Sequence, residues 1–320
     1  MLSICIPIYN YDIDRLVRDL HLQAVNVGYP FEIILMDDAS EEKFRKKNQA
    51  IELEAVRYIQ LNENIGRAKI RNRLAEEAKF PCLLFMDCDS GVSSPYYIEN
   101  YIRFFESQTV CCGGRIYEDK EPDDSTYLRW KYGVERECAS ASEREKNPNA
   151  GFQTNNFLIH KNVFEKVKFS EDLTGYGHED TLFGLELLKQ KIIIRHIDNP
   201  LVHLGLESAS EFLEKTENGI KNLYKVELLL REKYPEYINH SRLMQTKLSL
   251  QRLHLLGFVS KLFNIIRQPM KNYLLSKKPS LMIFDLYRLG LLCNESVNKM
   301  DDSKIKRKTA ISQYITHQIF

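Results

Sequence analysis

Cys82-Leu83-Leu84-Phe85-Met86-Asp87-Cys88-Asp89-Ser90 is the stretch that decides the fold. Five apolar residues, too few for a helix, end abruptly on two carboxylates. Such a run reads as a strand buried on both faces. The pattern recurs upstream: Leu2–Ile8 closes on Tyr9-Asn10, and Phe31–Met36 closes on Asp37-Asp38. Val56–Gln60 reads as another strand. Helical stretches separate them: Asp12–Ala24, with Leu or Val at 16, 17, 20 and 22, polar Glu41–Leu53, and Gly66–Ala78. Strands alternating with helical crossovers predict an α/β fold with a mostly parallel sheet flanked by helices. Ligands of such sheets sit beyond the carboxyl ends of the strands. Tyr9, Asn10, Asp37, Asp38, Asp87 and Asp89 all arrive at that rim. Carboxylates from neighbouring strands repel one another, so the rim calls for a cation or a hydrogen-bonding ligand.

Beyond Ser90 the pattern changes. Pro95–Ser107 reads as a helix, Val110–Tyr117 and Gln153–His160 as strands, Asp180–Lys189 as a helix and Ile192–His196 as a strand. The charged stretch Glu118–Pro148 reads as a loop-plus-helix excursion over the active face. From Ser210 only helices are expected: Glu211–Lys233, Ser241–Ile266 and Leu281–Cys293. The chain therefore reads as an α/β part, 1–209, followed by a basic all-helical extension, 210–320.

Composition bounds the function. The 320 residues carry 45 Lys/Arg against 44 Asp/Glu, with 43% hydrophobic and 28% charged residues. This excludes a disordered or fibrous chain and argues against bulk nucleic-acid affinity. The charge is uneven, however. Residues 239–320 hold 14 Lys/Arg against 4 Asp/Glu, so an acidic body carries a basic tail whose partner is expected to be anionic. Seven cysteines in no zinc spacing point to a reducing compartment. With no signal-peptide pattern and no run long enough to span a bilayer, the expected location is cytoplasmic.

Six pieces in this order resemble the family 2 glycosyltransferases of GT-A fold, as found in bacterial surface-polysaccharide synthesis. They are Ser3–Asn10, Met36-Asp37-Asp38-Ala39-Ser40, Asn64–Asn72 with Gly66 and Arg71, Met86–Ser90 with its Asp87-Cys88-Asp89, Gly175-Tyr176-Gly177-His178-Glu179-Asp180, and His203. The resemblance covers roughly residues 2–208. It implies a metal-dependent, inverting transfer of a sugar from a nucleotide sugar, UDP-linked foremost, to a hydroxyl of a glycan or lipid-linked glycan. Pro7, Tyr9, Asp38, Arg71 and Asp87 would hold the nucleotide. Asn155 and Asn156 would line the donor sugar or the acceptor. Asp89 and His203 would ligate Mn²⁺ or Mg²⁺. Asp180 would be the base, kept ionised by the start of its helix. Glu179 and Tyr176 would bind the acceptor. Single displacement needs no covalent nucleophile.

Each residue also has an ordinary reading. Asp38 or Ser40 would cap the helix at Glu41. Asp87 and Asp89 would form a solvated turn, and Arg71 would make a surface salt bridge to Glu63 or Glu76. Glu179 and Asp180 would be first-turn acids, a lone histidine is often structural, and buried asparagines often satisfy loop backbone. Two rival functions stand beside the transferase: a sugar nucleotidyltransferase, disfavoured because Tyr9-Asn10-Tyr11-Asp12 lacks glycine, and a non-catalytic carbohydrate-binding or scaffold protein of the same fold. In the tail, Lys247–Lys278 mixes Leu, Phe, Ile and Val with cations. That fits helices on an anionic membrane surface, or a helical subdomain with solvated lysines.

Overall fold

The protein is described here by a computed structural model, which covers residues 1–171, 177–233 and 241–299. The chain divides into two compact units. One comprises Met1–Pro122 and Arg129–Glu207; the other comprises Asp123–Leu128 and the chain from Ser208 onward.

The first unit opens with β1 (Leu2–Ile8), α1 (Asp14–Val27), β2 (Phe31–Asp37), α2 (Glu42–Gln49), β3 (Val56–Gln60), α3 (Arg67–Glu77) and β4 (Cys82–Met86). It continues through β5 (Ser90–Val92), α4 (Tyr97–Phe104), β6 (Thr109–Cys112) and β7 (Arg115–Ile116). Next come α5 (Tyr127–Tyr132), which belongs to this unit from Arg129 on and runs into a π-helical turn at Gly133–Glu137, and α6 (Ala141–Arg144). The unit ends with β8 (Asn156–His160), α7 (Lys161–Val167), α8 (Glu179–Lys189), β9 (Ile193–His196) and β10 (Leu201–His203).

Seven strands form the main sheet in the order β3-β2-β1-β4-β8-β6-β9. Only β8 runs antiparallel to its neighbours, so the sheet is mostly parallel, as the alternation of strands and helices predicts. Successive side chains of a strand point to opposite faces. Ile4, Ile6 and Ile8 therefore pack with α1 and α4 on one face, through Val17, Leu20 and Tyr101. Cys5, Ile34 and Phe85 pack on the other face with Leu74, Phe164 and Phe183. Phe169 stacks on Phe183 with centroids 4.3 Å apart, which fixes α8 against the sheet.

The expected strand Val110–Tyr117 is two strands in two sheets. A Cβ on Gly113 would run into the Asn199 carbonyl and lie 2.6 Å from the Tyr101 hydroxyl, and Gly114 has φ +86°. These two glycines let the chain leave the main sheet and enter a smaller one, ordered β5-β10-β7. Around this switch Asn156 acts as a hub. Its Oδ1 accepts the hydroxyls of Tyr97 and Tyr101 at 2.7 and 2.6 Å, and its Nδ2 donates to the carbonyls of Gly114 and Asn199 at 2.8 and 2.9 Å. Its amide has no capacity left for a sugar, so the expected ligand role gives way to the structural one.

The second unit contains α9 (Ala209–Lys233), α10 (Arg242–Arg252), α11 (Leu256–Leu274) and a helix over 281–299, α12. The expected helix Ser241–Ile266 is broken at Leu253–Leu255, where His254 takes φ +57°. Several of the tail's cations are paired within the unit, and one of them is buried. Lys247 donates to both oxygens of Glu227 at 2.8 and 3.0 Å, all within a buried pair. Arg267, Lys271 and the Tyr287 hydroxyl converge on Glu217 at 2.9, 3.2 and 2.6 Å. Among the described residues no helix is long and apolar enough to cross a membrane.

Asn156→Ala would strand two buried hydroxyls and two buried carbonyls. Partial rescue by water set aside, the expected cost is about 3 kcal/mol. It is to be read as a lowered urea midpoint at an unchanged denaturant slope.

Candidate functional site

The rim forms where β1 and β4 part. Their ladder ends at Cys5↔Phe85, so the missing N–H of half-buried Pro7 takes nothing from it. Beyond this point Tyr9 is 54% exposed. Hydrogen bonds stitch the ends of β1 and β2 together: Asn10 N donates to Ser40 Oγ, and Glu41 N donates to Asn10 Oδ1, both at 2.8 Å. Asp37 accepts Ser40 N and the Tyr58 hydroxyl at 2.7 and 2.9 Å. Asp38 accepts Ile65 N and Gly66 N at 2.7 and 3.1 Å, which ties β2 to the loop before α3. Its burial, outweighing these donors, raises its carboxyl above the usual range. Neither Asp38 nor Ser40 caps α2, whose N-cap is Glu41. Gly66 is required by its φ of +83°, since a Cβ there would meet nothing within 4 Å.

The floor of the rim is an ion pair. Arg71, buried on the inner face of α3, donates through Nη2 to Asp87 Oδ1 at 2.6 Å. Its Nη1 donates to the Arg67 carbonyl at 3.0 Å, and the guanidinium lies 5.9 Å from the centre of the Phe169 ring. The surface bridge to Glu63 or Glu76 is therefore not the one it makes. The other Asp87 oxygen lies 3.6 Å from both Arg67 and Arg115.

Behind Asp87 stands a layer of charge that sequence reading missed. Arg115 on β7 pairs with Glu137 at 3.0 Å. Arg129 on α5 pairs with Glu137 and Glu207 at 3.1 Å each. The Tyr117 hydroxyl also donates to Glu137. Burial would raise the Glu137 carboxyl, but Arg129 and Arg115 overrule it and hold it at about 2. These partners lie 22 and 8 residues from Glu137 along the chain, and Arg129 and Glu207 are 78 apart, so only the fold reveals them. The one sequence signal was the density of charge across Glu118–Pro148.

Asp89 meets His203 because β10 pairs antiparallel with β5, setting His203 opposite Ser90. His203 Nδ1 lies 3.5 Å from Asp89 Oδ2. Burial opposes ionisation of Asp89, but the hydrogen bond from His203 and the nearby Arg115 and Arg67 hold its carboxyl below the usual range. Gly205, which the sequence did not single out, makes room for this carboxylate. A Cβ there would lie 2.7 Å from Asp89 Cβ and 2.8 Å from its Oδ2.

The donor set suits a hard divalent cation. Asp89 Oδ1 is buried with no hydrogen-bond partner, and an imidazole stands beside the same carboxylate. Among the described residues no group of three or more His, Cys, Asp or Glu could hold a metal. Two protein ligands are nonetheless what Mg²⁺ or Mn²⁺ needs when substrate phosphates complete its shell. Arg129 approaches His203 Nε2 at 3.5 Å.

The last carboxylates come from the start of α8. Gly177 (φ +93°) and His178 (φ +73°) turn the chain into the helix, and no side chain caps it. Glu179 and Asp180 are first-turn acids of α8, as the ordinary reading has it, and neither caps the helix. Glu179 Oε1 pairs with Arg67 Nε at 3.2 Å. Asp180 Oδ1 accepts Thr181 N at 2.7 Å. The helix start does not keep Asp180 in the ordinary range: burial and then Glu179 push it up to about 6. Arg67 thus joins the Asp87 side of the rim to the Glu179-Asp180 side. Tyr176 lies outside the described residues. Asn155 gives its carbonyl to Asp87 N at 3.2 Å, while its side-chain oxygen is buried without a partner. A groove of about 780 Å³ runs past Tyr11, Ser90, Tyr117, Trp130 and Leu204.

Comparison with known proteins shows what the chain is similar to. The profile of glycosyl transferase family 2 matches residues 3–168. The teichoic acid poly(glycerol phosphate) polymerase of Staphylococcus epidermidis is 28% identical over 166 residues, which is 50% of this chain and 22% of that protein. The chondroitin synthase of Pasteurella multocida is 24% identical over 271 residues, 73% of this chain and 27% of that protein. The chain thus spans about a quarter of the length of these relatives. A mannosyltransferase from Pyrobaculum calidifontis, solved with GDP-Man and Mn²⁺, superposes with a TM-score of 0.47 at 14% identity, covering 70% of this chain and 63% of that one.

The Asp180 carboxyl is expected to titrate near pH 6 when followed by ¹³C NMR. Arg67→Met should move it higher, because Arg67 lowers it and neutralises Glu179. The sign for stability follows. The folded value exceeds the ordinary value of 3.8, so the folded state binds the proton more tightly, and this group's contribution fades as pH rises toward about 6.

Proposed function

The chain belongs to glycosyl transferase family 2, and from that premise we propose that it is a metal-dependent inverting glycosyltransferase. It takes a sugar from a nucleotide sugar, UDP-linked foremost, and builds cell-surface polysaccharide on a glycan or lipid-linked glycan, at the inner face of the cytoplasmic membrane. The observation that carries this reading is the meeting of two acidic pairs on one rim: Asp87 and Asp89 after β4, and Glu179-Asp180 at the start of α8, linked through Arg67.

In this reading Pro7, Tyr9 and Asp38 form the wall for the base, and Arg71 sets Asp87 toward the ribose. Asp89 and His203 hold a divalent cation, which when bound neutralises the charge that grows on the leaving diphosphate. Asp180 takes the proton of the acceptor hydroxyl. The acceptor oxygen then bonds to the anomeric carbon, while the bond to the diphosphate breaks and its electron pair departs with the nucleotide. A base half-protonated near pH 6 is ionised at neutral pH and still basic enough to accept that proton. Glu179 and Tyr176 orient the acceptor. The unpartnered oxygen of Asn155 is a ready acceptor for a sugar hydroxyl. The groove past Trp130 gives room for an extended glycan.

The test is a panel of UDP- and GDP-sugars with Mn²⁺ or EDTA, read by calorimetry and by nucleotide release. One donor should bind in a metal-dependent way. Asp89→Ala should abolish that binding, and Gly205→Ala should weaken it roughly tenfold by displacing the carboxylate. Asp180→Asn should keep donor binding yet lower kcat about 10²- to 10⁴-fold. The wild-type kcat/KM should rise with pH through a midpoint near 6, where Asp180 ionises. Donor binding without turnover on any glycan would favour the carbohydrate-binding reading instead.

A further inference from the structure

Helix α11 is apolar on two opposite sides. Leu256, Phe263 and Leu274 are buried, as its packing requires. The other side shows Phe258 (66% exposed), Leu262 (45%), Ile265 (76%) and Tyr273 (43%). Positions 258, 262, 265 and 273 recur at helical spacing and form one continuous stripe. A surface helix normally shows polar residues there, and a helix apolar all round is normally buried. Phe258, Leu262 and Ile265 fall within eight residues on one side of the helix, so they are neighbours rather than scattered surface residues.

The charges beside it identify the partner. Residues 241–284 hold eight Lys/Arg and no Asp or Glu. Those on the packed side are matched internally: Lys247 by Glu227, and Arg267 and Lys271 by Glu217. Arg252 and Lys261 are exposed, and no acid pairs with them among the described residues. Lys277, just past the end of α11, is also exposed and makes only a solvent-facing pair with Asp124. The bare apolar stripe is thus edged by outward positive charge. A second copy of the chain, stripe on stripe, would bring two such cationic edges together. An anionic lipid surface accepts both features at once. The helix is not apolar enough to cross a bilayer, so it would lie along the interface.

We propose that Phe258, Leu262 and Ile265 are the insertion face of a docking surface for an anionic membrane. This deepens the membrane location proposed above, but it rests on the α11 stripe and not on the chemistry of the rim. Apolar insertion supplies the grip, and Arg252, Lys261 and Lys277 supply the preference for anionic lipid.

The test uses the full chain in sedimentation with vesicles of phosphatidylcholine alone or mixed with phosphatidylglycerol. The wild type should bind the mixed vesicles. The triple variant Phe258→Ser, Leu262→Ser, Ile265→Ser should partition at least about tenfold less onto both vesicle types. Lys261→Glu should weaken binding to the mixed vesicles about fivefold and leave binding to neutral ones unchanged. The three serine sites lie off the packed face, so the melting temperature and donor binding of the triple variant should match the wild type. That separates failure of this proposal from failure of the transferase reading. Wild-type protein that ignores both vesicle types, or a triple variant that binds as well as wild type, would overturn the proposal. So would a wild type that is dimeric without lipid beside a monomeric triple variant, since the stripe would then be a self-association face.

Discussion

Burying Asp87 against Arg71 is the constraint on which the rest of the rim depends. A parallel sheet sends all its strand ends the same way, so the acidic termini of β2 and β4 meet at one edge. Unbalanced, such carboxylates would repel or protonate. Balance comes from arginines on separate elements: Arg67 and Arg71 on α3, Arg115 on β7 and Arg129 on α5. A buried ion pair of this kind contributes little net stability, because desolvation offsets the attraction. What it does is fix geometry. With Arg71 taking one Asp87 oxygen at 2.6 Å, the carboxylate has a single orientation before any ligand arrives.

The small sheet does for Asp89 what the ion pair does for Asp87. Its strands come from three distant stretches, joined only because Gly113 and Gly114 let the chain change sheets. The β5–β10 register then sets His203 beside Asp89, and the chain's next turn brings Gly205 under the same side chain. Asn156 locks this junction from beneath with four hydrogen bonds, so a residue expected to touch substrate instead holds together the structure around it. The demands on polar groups are high here. Two oxygens at the rim, Asp89 Oδ1 and the Asn155 side-chain oxygen, are buried without a hydrogen-bond partner.

The second unit follows the opposite logic. Its basic composition suggests lysines in water, yet Lys247, Arg267 and Lys271 are spent on Glu227 and Glu217, and apolar residues of α11 face outward. Net charge was readable from composition; which charges remain available was not, because pairing depends on helices that meet only after folding.

The sequence by itself determined the strands and their acidic ends. An apolar run of five to seven residues closing on Asp or Asn is a local pattern, and local patterns specify local structure. It also determined the family, because six short motifs in order survive without any knowledge of contacts. It did not reveal the glycine break at 113–114, whose need arises from Tyr101 and Asn199 in distant segments. Nor did it reveal Arg115, Arg129, Glu137 and Glu207, since burial and pairing across up to 78 residues leave no local mark. The raised Asp180 carboxyl belongs to this second class. A helix start alone favours the ionised form, and only the tertiary structure supplies the burial and the neighbouring Glu179 that outweigh it.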